Sequence, residues 1–254
     1  MLILVIGDVI GKPGRRAINE FLPSLRQQYG VDLVIANGEN AAGGLGITST
    51  TAKELLNAGV DVLTTGNHIW AQNEIIPYLD GEMPILRPLN YPQGVPGRGY
   101  IVNNQVMVVN LMGRTFMSDI DCPFRAMDKL LAELNSKPPV IIIDFHAEAT
   151  SEKVALGRYM DGRVSAVLGT HTHVGTIDAQ LFPQGTAYVT DIGMTGPMDS
   201  VIGDDTEAVI RRFLTSIPHR LSVGRGKTMF NAMLVRVNDD SGKATSIDRI
   251  YRET

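Results

Sequence analysis

The chain has a single cysteine, Cys122, in 254 residues. No intrachain disulfide and no thiolate metal cluster can form, and such cysteine usage fits a reducing compartment. No apolar run approaches the about 20 residues that a membrane span needs. The apolar opening Leu2–Ile6 is too short for the core of a secretion signal and lacks a basic leader. A surplus of basic charge is missing too: 23 Lys and Arg face 27 Asp and Glu, a net charge of −4. That excludes a protein that coats itself with nucleic acid through bulk electrostatics, so any nucleotide is expected in a local pocket. We therefore expect a soluble, cytoplasmic protein with no membrane association and no stable DNA binding.

No internal repeat, low-complexity tract or linker interrupts the sequence, so residues 1–254 read as one domain with a sizeable core. Short β-branched apolar runs alternate with helix-like stretches, which points to stacked βα units and an α/β fold. Strands are expected at Leu2–Ile6, Leu33–Ala36, Val60–Leu63, Val106–Leu111, Val140–Ile143, Val164–Leu168 and Ala187–Thr190. Their nearly continuous apolar character is that of strands covered on both faces. Helices are expected over Arg15–Tyr29, with Pro23 kinking it or opening a second helix, and over Thr48–Ala58, with Thr48 as cap and Gly59 as stop. A third begins at a cap on Asp121 with Pro123 in its first turn, and Ser151–Tyr159 and Asp205–Leu214 are weaker patterns. Residues 80–105 read as a surface excursion. Met229–Val237 and Thr245–Arg252 flank a turn at Asn238–Gly242 and read as an antiparallel pair, so the sheets are expected to be mixed.

The chemistry sits where the strands stop. The first is followed by Gly7-Asp8, the second by Asn37-Gly38-Glu39-Asn40 and the third by Gly66-Asn67-His68. Later come Asp144-Phe145-His146 and Gly169-Thr170-His171-Thr172-His173. The carboxyl ends of strands form the ligand crevice of α/β sheets, so these five clusters should converge. Four of the five histidines of the chain lie in them. Carboxylate, amide and imidazole donors without sulfur suit manganese, iron, zinc or magnesium. Asp8, Glu39, Asn40, Asn67, His146, His171 and His173 exceed the needs of one ion and can hold two, with one carboxylate as bridge.

Each piece has an ordinary reading. Asp8 can be a helix cap, Asn37–Asn40 a plain turn and His146 a hydrogen-bonded core histidine. The joint occurrence favours the metal site. His171-Thr172-His173 is expected to bend, so that each ring meets a different ion. Asp144, Glu148 and Asp191 are candidates to orient ligand histidines, with surface or cap roles as the equal alternative. Gly7–Lys12 has the wrong spacing for a phosphate-binding loop and continues into proline.

The order of these motifs resembles the calcineurin-like metallophosphoesterases. It departs from their commonest pattern at Asp8-Val9-Ile10, where Asp-x-His is usual, at Asn37–Asn40, where Gly-Asp-x-x-Asp is usual, and at Ile69, where an acidic residue is common. One bacterial branch shares the departures, the YmdB-type 2′,3′-cyclic nucleotide phosphodiesterases. Gly7–Arg15, Asn37–Gly44, Thr65–Trp70 and Asp191–Pro197 are similar to that branch almost residue for residue. The resemblance implies a four-layer αββα sandwich of two mixed sheets and two metal ions, iron first among the candidates. It implies that Asp8, Glu39, Asn40 and His173 hold one ion and Glu39, Asn67, His146 and His171 the other. It makes His68 the general acid that protonates the leaving ribose oxygen, a step a poor alkoxide leaving group needs in any case. A small nucleotide phosphodiester is the implied substrate, and family and base rates suggest a homo-oligomer. The rival readings are a phosphomonoesterase or nucleotidase on the same site, and a metal-binding scaffold without catalysis.

Overall fold

A computed structural model describes residues 1–254. In chain order the elements are β1 (Leu2–Ile6), α1 (Gly11–Tyr29), β2 (Leu33–Asn37), α2 (Ser49–Asn57), β3 (Val62–Thr64), α3 (Ile76–Leu79), β4 (Tyr100–Asn103), β5 (Val106–Met112) and α4 (Pro123–Glu133). They continue with β6 (Val140–His146), α5 (Thr150–Tyr159), β7 (Ala166–Thr170), β8 (Gln180–Leu181), β9 (Ala187–Val189), β10 (Gly196–Pro197), α6 (Thr206–Thr215), β11 (Thr228–Val237) and β12 (Ala244–Glu253). One sheet runs β10-β11-β1-β2-β3 with β12 on β11, and the other β4-β5-β6-β7-β9-β8. Both are mixed. β1, β2 and β3 are parallel, while β11 meets β1 and β12 antiparallel. β5, β6, β7 and β9 are parallel, with antiparallel edges β4 and β8.

Side chains alternate across a strand, and here each face meets a different layer. Leu2, Leu4 and Ile6 join Ala17, Ile18, Leu22 and Leu25 of α1 in an outer core. Ile3 and Val5 turn the other way, onto Val108, Val140, Ile142 and Leu168 of the second sheet. That sheet's far face packs Val109, Ile143 and Phe145 against Met127 of α4 and Leu156 of α5. Three apolar layers thus separate four structural ones, helices, sheet, sheet, helices, as the sequence resemblance implied. No helix is long and apolar enough to cross a membrane.

Several local expectations need correction. The first helix starts at Gly11 rather than Arg15 and runs through Pro23 as one element. Pro23 and Asn19 are both exposed, so the carbonyl that loses its helical donor faces water. The cap of α4 is Cys122, which makes no side-chain cap bond, and Asp121 does not serve. Residues 80–105 contain β4, an edge strand whose largely exposed side chains lack the apolar pattern that would mark it. The third strand is Val62–Thr64, shifted from Val60–Leu63, and β6 runs on to include His146. Thr48 does cap α2, accepting from the amide of Thr51, whereas α6 begins at Thr206 with Asp205 outside it as the cap, accepting from the amide of Ala208.

Candidate metal centre

Parallel register sets the carboxyl ends of β1, β2 and β3 side by side, as it does those of β6 and β7, and the two rows face each other. All eight residues singled out in the sequence meet there. Glu39 is fully buried. Its Oε1 lies 3.0 Å from His146 Nε2, 3.4 Å from His68 Nδ1 and 3.5 Å from Asn40 Nδ2. Asn67 Oδ1 and His171 Nδ1 reach the same His146 nitrogen at 3.1 and 3.0 Å. Asp8 Oδ1 lies 3.8 Å from both His146 Nδ1 and His173 Nε2, and Asn40 Nδ2 lies 3.3 Å from His173 Nε2. Glu39, Asn67, His146 and His171 therefore form one group, and Asp8, Asn40 and His173 a neighbouring one.

Hydrogen bonds on the outer side of the rings assign the tautomers. Thr170 Oγ1 donates to Asp144 at 2.7 Å, so it must accept the His146 Nδ1–H at 2.9 Å. His171 Nε2 donates to Glu148 at 3.0 Å, and His173 Nδ1 to the Ile202 carbonyl at 2.7 Å. Each imidazole thus has one nitrogen engaged outside the cleft and turns the other inward, the orientation that metal-binding histidines adopt. Asp8 Oδ1 is, moreover, the one buried side-chain polar atom in the chain without a hydrogen-bond partner. A buried carboxylate oxygen without a donor is expensive unless a cation sits beside it. The donor set, oxygen and imidazole nitrogen without sulfur, fits the metals named above. Asn40 needs a half-turn of its amide to join such a set, because its Oδ1 faces His68 Nδ1 at 2.9 Å.

The electrostatics point the same way. Burial opposes the charge on Glu39, but the His146 charge and hydrogen bond overcome it and hold the carboxyl down at about 2. Burial likewise opposes the His146 cation, and Glu39 with Asp8 and Asp144 lifts it to about 9. His171 is pushed down to about 3 by burial and by the His146 charge. Burial raises Asp144 to about 6 and raises Asp8 as well.

Backbone strain concentrates at the same place. Of six non-glycine residues with positive φ, three are His171 (102°), His173 (66°) and Ile202 (48°). Left-handed backbone costs a non-glycine residue about 1–2 kcal/mol, so surrounding bonds must enforce it. The bend aims the two rings at different groups, His171 at His146 and His173 at Asp8 and Asn40. Asp191 Oδ2 grips it by accepting the Thr172 amide and hydroxyl at 3.1 and 2.8 Å. Lys153 Nζ donates to Asp191 and to the Thr170 carbonyl, both at 2.7 Å.

Asn37, Thr170 and Lys153 were not anticipated as part of this machinery. Asn37 donates to Asp144 at 3.1 Å and accepts the Glu39 amide at 3.2 Å, tying two strand ends together. Lys153 shares its helix face with Leu156, Gly157 and Met160, all buried, and a lysine in an apolar 3-4-7 spacing is a signal for a buried pair. Asp8 is not a cap, since α1 is capped at Ile10 without any side-chain bond. A cavity of about 600 Å³ between α4 and residues 87–100, walled by Arg87, Tyr91, Arg125 and Lys129, includes none of the eight residues.

The family profile described as YmdB-like protein matches residues 4–250. The chain is 48% identical to a Bacillus subtilis protein named 2′,3′-cyclic-nucleotide 2′-phosphodiesterase, over 98% of this chain and 96% of that protein. A Thermus thermophilus structure, described as that of a hypothetical protein, superposes with TM-score 0.93 at 46% identity, covering 100% of this chain and 99% of its own. A Mycoplasma pneumoniae structure described as a novel phosphatase superposes with TM-score 0.94 at 33% identity, covering 100% and 93%. Fold and relatives together define a phosphoesterase. The chain belongs to the YmdB-like family.

Proposed function

We propose that the chain is a dinuclear-metal phosphodiesterase that opens 2′,3′-cyclic nucleotides. Asp8, Glu39, Asn40 and His173 would hold one ion and Glu39, Asn67, His146 and His171 the other, with Glu39 shared. Bound there, the ions would supply an activated water at neutral pH and neutralise charge on the phosphoryl oxygens. His68 is the proton donor to the leaving ribose oxygen. Its amide is fixed on Glu39 Oε2 at 3.0 Å and its Nδ1 on Asn40 at 2.9 Å, which leaves Nε2 to face the substrate. Asn37, Thr170 and Asp144 hold Glu39 and His146 in place. The observation that carries this reading is the cluster of Glu39 with the inward-facing imidazole nitrogens of His146 and His171, beside the unpartnered Asp8 Oδ1. Cyclic nucleotides are preferred over other diesters because the Bacillus subtilis relative, nearly half identical, bears that activity in its name.

The test compares wild type with Glu39→Gln on 2′,3′-cyclic AMP, with elemental analysis of both. Wild type should retain about two ions per chain, and Glu39→Gln should lose metal and at least roughly tenfold in rate. Metal-free wild type, or inactivity on every diester and monoester, would defeat the reading. Gly66→Ala should reproduce the metal loss without replacing a ligand, because an added Cβ would overlap the His146 ring and lie 2.5 Å from Glu39 Oε2. A monoesterase reading draws on the phosphatase description of the Mycoplasma pneumoniae structure. It requires para-nitrophenyl phosphate to turn over faster than the bis ester.

A further inference from the structure

We propose that Ile202 contacts the substrate and sets its specificity, packing on the sugar or base rather than on the phosphate. The proposal rests on the phosphodiesterase reading and names what binds beside the phosphate. Ile202 and Gly203 are the central residues of a turn closed by Val201 and Asp204, whose amides and carbonyls bond reciprocally at 2.9 and 3.1 Å. Both have positive φ, 48° and 107°, the geometry that two-residue hairpin turns fill with Asn, Asp or Gly. Gly203 is required, since a Cβ there would meet Ile10 at 2.9 Å. A β-branched residue is the type least suited to position 202.

The conformation has a use, because the Ile202 carbonyl accepts the His173 Nδ1–H at 2.7 Å. Any residue offers that carbonyl, however, and Asn or Gly would offer it without strain. Turn geometry therefore explains the backbone and not the side chain. Nor does the core explain it: Ile202 is 52% exposed and belongs to none of the three apolar layers. Val174, which directly follows His173, is 60% exposed, so the ring is flanked by apolar groups in contact with solvent. A branched aliphatic side chain held in unfavourable backbone, beside a histidine whose Nε2 is 3.8 Å from Asp8, has its partner outside the fold. It is wrong for a phosphate and right for the face of a ribose or base.

Ile202→Asn and Ile202→Gly are the informative variants, since both suit the turn and keep the carbonyl. Both should melt about 2–4 °C higher as strain is relieved. Both should raise KM for 2′,3′-cyclic AMP roughly tenfold with kcat within twofold, the scale of a lost apolar contact. Ethylene cyclic phosphate, which has the reacting ring and no nucleoside, should be turned over as well as by wild type. Calorimetry with 3′-AMP, the product of opening at the 2′ oxygen, should show a matching loss of affinity. Equal losses on both cyclic esters would place the effect on His173 and overturn the proposal. So would a lower melting temperature with KM unchanged, or a shift in sedimentation with KM unchanged, which would make Ile202 a contact between copies. If wild type hydrolyses no diester, the activity assignment falls, while the 3′-AMP affinities still decide for or against Ile202.

Discussion

His68→Ala is expected to slow hydrolysis of 2′,3′-cyclic AMP by about 10²–10⁴-fold with metal content and melting temperature unchanged. The side chain is 34% exposed and fills no apolar layer, so its loss should not disturb packing. The hydrogen bond that its residue gives Glu39 comes from the backbone amide and survives the substitution. What disappears is a proton donor for an alkoxide, a leaving group too basic to depart unaided. The check is therefore a comparison of leaving groups. Bis-para-nitrophenyl phosphate releases a stabilised phenolate, so the variant should lose far less on it than on the cyclic nucleotide. An equal loss on both would show that His68 acts by some route other than proton donation.

Lys153→Met is expected to destabilise the fold by about 3–5 kcal/mol, because it leaves the Asp191 carboxylate buried without its counter-ion. Lys153 is 1% exposed and Asp191 not at all. At about 2–4 °C per kcal/mol for a chain of this size, the melting temperature should fall by roughly 6–20 °C. Removing both charges in Lys153→Met/Asp191→Asn should harm less than the sum of the single changes, since neither partner is then stranded. An additive double variant would mean that the pair contributes no coupling. Activity should fall as well, because Asp191 is the acceptor that holds Thr172 between His171 and His173.

Much of this was legible before any coordinates. Parallel strands buried on both faces write long β-branched runs, and β1, β2, β5, β6 and β7 could be read from them. The convergence of the eight candidate residues was legible because such strands must end at one edge, which turns scattered motifs into neighbours. β4 was not, because an exposed edge strand imprints no apolar pattern. Asn37 and Thr170 stayed hidden for another reason. They act by hydrogen bonds between strands joined only in space, and a neutral amide or hydroxyl in a motif carries no mark of its partner. Lys153 lay between these cases, its helical spacing visible and its partner Asp191 on a remote loop.

The two sheets contribute unequally to the centre. Asp8, Glu39, Asn40, Asn67 and His68 follow strands of the first, whereas His146 ends β6 and His171 and His173 follow β7 in the second. An ion shared by Glu39 and His146 would therefore rivet one face of the sandwich to the other. In a chain with one cysteine it would do what a disulfide does, shortening the loops open to the unfolded chain, but reversibly and at a strength set by the supply of free metal. Starving such a protein of metal would slow its chemistry and loosen its architecture together, so that its lifetime and its turnover rate would answer to the same ion.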